Sequence, residues 1–200
     1  MKMTSLDRTL LLLTGILAAY QVAVGIDGFS ALPIIAYTIA FGVLLVAGLL
    51  LIIWGFEVLD SPMVVIVSTI IPLSLSLGLV WQHASFGTLY LIFTIIGFAA
   101  VTLTRAIPMQ NKLPTITIAI VHGIAGMTIF LLPIILSVQG VMKPAFSLVG
   151  IGGALIGIGG LLLSFLKTGK PILSRHTIMR MFPILLLLTT AFFVTGFKFG

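Results

Sequence analysis

The chain has 200 residues, 60% of them hydrophobic, with ten basic and four acidic residues, a net charge of +6 and a mean hydropathy of +1.34. Soluble domains carry charge on about a quarter of their residues, so this composition excludes a water-covered globule and matches the outer surface to lipid. There is no cysteine, which excludes disulfides and thiolate metal sites.

Seven apolar runs follow one another, each near the length of about 20 residues that a helix needs to cross about 30 Å of hydrocarbon. They predict helices over residues 9–26, 31–56, 62–81, 86–104, 115–138, 145–166 and 175–197. The runs are continuously apolar. A membrane β-barrel, the other way to satisfy every backbone group in lipid, would show short strands of alternating polarity instead. The expected fold is an all-α polytopic bundle, with residues 1–200 forming one transmembrane domain and the lipid bilayer as its first partner.

Several residues stand out in chain order. Trp54 closes the second run and Trp81 the third, as interfacial aromatic anchors do. Glu57 and Asp60 lie between these runs. Ser61-Pro62 predicts an N-cap followed by proline at the first helical position. The third run then carries Ser68, Thr69, Pro72, Ser74 and Ser76. A proline inside a helix frees a carbonyl and bends the axis. The neighbouring hydroxyls are expected either to satisfy the freed group or to line a polar path.

In the fifth run His122 is the one ionisable residue deep in a span, about 12 Å from the helix start at the helical rise. Such a residue is a functional candidate by default, as a haem ligand or proton relay. His83 and His176 lie at span ends and offer no obvious second ligand, so a neutral His122 bonded to a neighbouring helix is the favoured reading. No cofactor and no metal site is expected.

Ala119, Gly123 and Gly126 share a face of that run. Gly150, Gly153, Gly157 and Gly160 share a face of the sixth, broadened by Gly152 and Gly159. Small residues let helix backbones approach closely in lipid, where the hydrophobic effect does not drive association. These stripes are expected to pack helices, within the chain or against another subunit. Beyond them Lys167, Lys170 and Arg175 lead into the last run, with Ser174 as a second N-cap. Pro183, Thr189 and Thr190 repeat there the proline–hydroxyl pattern of the third run. Glu57 and Asp60 are expected to pair with the three bases and fix the docking of the two loops.

The basic residues set the orientation. Lys2, Arg8, Arg105, Lys112, Lys167, Lys170, Arg175 and Arg180 fall on the side of the N-terminus, and Lys143 and Lys198 on the other. Eight against two in short loops places the N-terminus in the cytoplasm and the C-terminus outside. This topological bias also accounts for the positive charge, so nucleic acid is not an expected partner.

A faint repeat runs through the chain. Gly48-Leu-Leu-Leu precedes Pro72 by 24 residues, and Gly160-Leu-Leu-Leu precedes Pro183 by 23. Runs 1–3 and 5–7 would then be parallel halves joined by the fourth, a three-one-three layout used by some carriers. Carriers of the SWEET type share that layout, but their Pro-Gln signature is absent here. The mid-helix Lys of retinal-binding rhodopsins also has no counterpart, since Lys198 is third from the end. The residues therefore point to no family. Two functions fit them. One is a non-catalytic structural or accessory membrane subunit, assembling as a homo-oligomer or with other subunits through glycine-rich faces. The other is a facilitative carrier or channel for a small neutral solute, using the polar residues of runs three and seven.

Overall fold

A computed structural model describes residues 3–26, 28–107, 109, 111–167 and 171–200. Its seven long helices are α1 (Ser5–Val24), α2 (Ala31–Trp54), α3 (Pro62–His83), α4 (Gly87–Ala106), α5 (Leu113–Val138), α6 (Ser147–Lys167) and α7 (Arg175–Phe199). Short 3₁₀ turns, Phe56–Asp60 and Pro144–Phe146, precede α3 and α6. All seven helices are long and apolar enough to cross a membrane. The chain is a multi-pass integral membrane protein with an all-α seven-helix fold.

The helix ends show where local chemistry overrides the apolar pattern. α1 begins before its apolar run because Thr4 and Asp7 form a capping box: the Asp7 carboxylate accepts from the Thr4 N–H at 2.8 Å, and the Thr4 hydroxyl accepts from the Asp7 N–H at 3.2 Å. α2 stops at Trp54, short of the expected 56, because Gly55 takes φ 76° and returns its N–H to the Leu51 carbonyl. The chain then turns Phe56 into the core. α6 likewise starts later than expected, after a turn that buries Phe146. Ser174 caps α7 by accepting from the Thr177 N–H at 3.1 Å. Ser61 occupies the matching place before α3 but makes no side-chain cap bond; Pro62 alone marks that start.

Six helices close a ring in the order α1–α2–α3–α5–α6–α7, with α7 packed back on α1. α4 sits outside the ring against α3 and α5. Exchanging α1, α2 and α3 with α5, α6 and α7 carries every contact of the ring onto another contact, and α4 falls where a linker would.

The centre of the ring is filled. Aromatic rings stack through one half of it: Tyr37 on Phe197 at 4.6 Å between centroids, Phe41 on Phe193 at 6.4 Å, and Phe146 on Phe197 at 6.0 Å. Leu75 and Leu79 of α3 join the same buried cluster. Offset and edge-on aromatic contacts of this kind add about 0.5–1.5 kcal/mol each beyond the area they bury. A second cluster, Leu73, Val101, Val121 and Ala125, fixes α4 and α5 to α3.

Candidate functional site

Of the proline–hydroxyl residues of α3 and α7, Thr69, Ser76, Pro183, Thr189 and Thr190 are buried, and Ser68, Pro72 and Ser74 are half-buried. Pro72 lacks the N–H that would bind the Ser68 carbonyl, and Pro183 lacks the one for Met179. Among the described residues no adjacent hydroxyl donates to either freed carbonyl. Thr69 donates to the Val65 carbonyl at 2.7 Å, and Ser68 to the same oxygen at 3.1 Å. Ser76 donates to the Pro72 carbonyl at 2.6 Å, and Thr190 to the Leu186 carbonyl at 2.8 Å. Each of these hydroxyls is engaged one turn back on its own helix, a local bond that serine and threonine commonly make, and Ser76 also meets the Tyr90 side chain of α4. Ser74 is half-buried. Thr189 is the exception. It is 2% exposed, and its hydroxyl makes no hydrogen bond. α3 and α7 stand on opposite sides of the ring, with the apolar cluster between them.

His122 is half-buried on α5, with Nδ1 buried and unpartnered. His83 is at the far end of α3, stacked edge-on against Phe29 at 5.6 Å, and His176 is exposed in the first turn of α7. The three imidazoles are separated along the bundle. Among the described residues no three His, Cys, Asp or Glu side chains gather as a metal site would require.

The glycine stripe of α6 divides into two parts. A methyl group on Gly150 would lie 2.5 Å from the Phe130 carbonyl oxygen, and one on Gly153 would lie 2.7 Å from the Ile129 side chain and 3.2 Å from its carbonyl carbon. Backbone meets backbone here, as the spacing predicts. Gly152 faces the other way, onto Phe193 and the Thr189 carbonyl of α7. One turn further along, nothing approaches within 4 Å of a methyl group on Gly157. The same holds for Gly160 on α6 and for Gly123 and Gly126 on α5. Gly157, Gly160, Gly123 and Ala119 are exposed. Of the stripes expected to pack helices, within the chain or against another subunit, Gly150 and Gly153 pack α6 on α5, whereas the α5–α6 seam has parted by the level of Gly157.

Of the loop charges, the structure joins Asp60 to Arg175, with Nη2 donating to Oδ2 at 3.1 Å and both side chains more than half exposed. Glu57 is not part of this pair. Lys170 and the side chain of Lys167 lie outside the described residues. At the opposite end Lys198 donates to the Tyr20 hydroxyl at 2.7 Å. α7 is thus tied to the first three helices at both ends.

Two grooves lie at the ends of the bundle. One, of about 410 Å³, is lined by Met3, Arg8, Ile53, Trp54, Gly55, Phe56 and Glu57. The other, of about 200 Å³, lies between Trp81 and Thr88. Neither touches the proline–hydroxyl residues. Sequence reasoning had passed over Arg8 as a site residue. The signal for it was its place one helical turn into α1, level with the tryptophan that ends α2.

Comparison with known proteins returns no match to a family model, a curated protein or a solved structure.

Proposed function

We propose that this chain is a non-catalytic structural or accessory subunit of a larger membrane assembly, in which the parted seam between α5 and α6 receives a helix of another subunit. The observation that carries this reading is a pair of small-residue stripes: Ala119 and Gly123 on α5 and Gly157 on α6 are exposed, and nothing lies within 4 Å of a methyl group on Gly123, Gly126 or Gly157. Lipid tails are as apolar as a helix surface, so helices associate in a bilayer by close van der Waals approach. A surface of glycine and alanine offers that approach. The filled ring and the self-bonded hydroxyls of α3 and α7 agree with a part whose work is contact. In this reading the N-terminus is cytoplasmic, on the strength of the basic loops, and Asp60 and Arg175 help dock the two halves. No cofactor enters it.

Native mass spectrometry after gentle extraction from the source membrane tests it. A mass above that of one 21.3 kDa chain, from further copies or from other subunits, is expected. A lone chain would overturn it.

A facilitative carrier is the second reading. Thr189 and Tyr37 favour it, since both place a buried, unpartnered hydroxyl inside the ring, as a closed passage for a small neutral solute would. Solute flux into vesicles that falls in Thr189→Val is its test.

A further inference from the structure

The groove of about 410 Å³ between the start of α1 and the end of α2 brings one cation and one anion together at the edge of the apolar surface. Trp54 and Ile53, both highly exposed, end α2 there, and an exposed tryptophan at a span end marks the level of the lipid headgroups. Arg8 forms one wall, on the first turns of α1. Glu57 forms another, on the 3₁₀ turn that Gly55 starts.

Among the described residues, two neighbouring acids are engaged elsewhere. The Asp7 carboxylate, next to Arg8 in sequence, accepts from the Thr4 N–H and hydroxyl at 2.8 Å each and is buried. Asp60, three residues beyond Glu57, is paired with Arg175. Among the described residues Arg8 and Glu57 form no ion pair with each other or with another side chain. They are two opposite charges lining one groove, whose space is of the size that small ligands occupy.

We propose that this groove binds the headgroup of a zwitterionic glycerophospholipid with a primary ammonium, of the phosphatidylethanolamine type. The phosphate lies against the Arg8 guanidinium, whose fork of N–H donors suits phosphate oxygens. The ammonium donates to the Glu57 carboxylate, which a quaternary ammonium cannot do. The acyl chains run down the exposed apolar surface beside Ile53. An anionic headgroup would satisfy Arg8 but would set its own charge against Glu57.

The test uses Trp54 as the reporter, in a Trp81→Phe background that leaves it the only tryptophan. The full chain is reconstituted into phosphatidylcholine vesicles with an equal mole fraction of phosphatidylethanolamine, phosphatidylglycerol or phosphatidylcholine, brominated near the carbonyl end of the acyl chains. Brominated phosphatidylethanolamine is expected to quench Trp54 several-fold more strongly than the other two. Glu57→Gln should abolish that preference, and Arg8→Gln should lower quenching by both phosphatidylethanolamine and phosphatidylglycerol. Both residues are exposed, so unchanged helical circular dichroism serves as the folding control. Equal quenching by the three lipids overturns the proposal, as does strongest quenching by phosphatidylglycerol. A preference that survives Glu57→Gln, or quenching unaltered by Arg8→Gln, overturns it as well.

Discussion

The α1–α2 and α5–α6 seams occupy corresponding places in the ring, and each carries glycine at a matched position before a proline. They are built differently. At Gly48 the first seam is shut: the residue is buried, and a methyl group on it would already touch the Leu11 carbonyl oxygen at 3.7 Å. The second seam is tighter than this at Gly150 and Gly153 and then opens at Gly157. A small residue permits close approach but does not enforce it. Whether the approach occurs is decided by the rest of the interface. Large side chains on neighbouring helices, Leu11 and Leu45 in the first half and Ile129 and Ile134 in the second, lock the closed regions. Ala119, Gly123 and Gly126 give the open region nothing to lock with.

The largest expected effect comes from breaking the closed end of the second seam. Gly150→Leu forces a side chain into the Phe130 backbone, which cannot move without shifting α5. Overpacking costs about 1–3 kcal/mol in cores that can relax, and a rigid backbone neighbour places this substitution at about 3 kcal/mol or beyond. The yield of folded protein after extraction should collapse. Gly48→Leu ranks second. The first methyl fits, but the remaining three carbons must displace α1, at a cost of about 2 kcal/mol, read as a lowered thermal midpoint in detergent. A Gly48→Leu protein as stable as the parent would show that the first seam is no tighter than the second.

Smaller effects test what joins the two halves rather than what closes each. The Asp60–Arg175 pair is more than half exposed on both sides, so a double-mutant cycle with Asp60→Asn and Arg175→Gln should give a coupling of about 0.5 kcal/mol that fades with salt. The smallest change is expected of Thr189→Val. Replacing a buried hydroxyl that has no partner by an apolar group of the same shape removes an unmet polar atom. Stability should hold or rise by up to about 1 kcal/mol.

Much of this architecture was readable from the residues alone. The seven spans follow from hydropathy and length, because lipid demands that each crossing segment be long, apolar and helical. The capping box of Thr4 and Asp7 was also present in the sequence, hidden because it precedes the apolar run of α1. The position of α4 outside the ring could not be read, since lipid-facing and helix-facing positions are equally apolar and leave no periodic mark. For the same reason the glycine stripe of α6 identified a face but not the level at which it loses its partner. The opposite charges of the loops were plain. Which acid meets which base depended on the 3₁₀ turn after Gly55, which sends Asp60 to Arg175 and leaves Glu57 in the groove that Arg8 also lines.

The subunit reading rests on Gly157 facing a partner rather than lipid, and one paired measurement on Gly157→Leu tests that most directly. Nothing in the chain lies within 4 Å of a methyl group at this exposed position, so the thermal midpoint and helical circular dichroism should match the parent. In native mass spectrometry of the gently extracted protein, the parent should migrate with its assembly and Gly157→Leu as a lone chain. An assembly that survives Gly157→Leu intact would contradict the account and return the parted seam to the lipid.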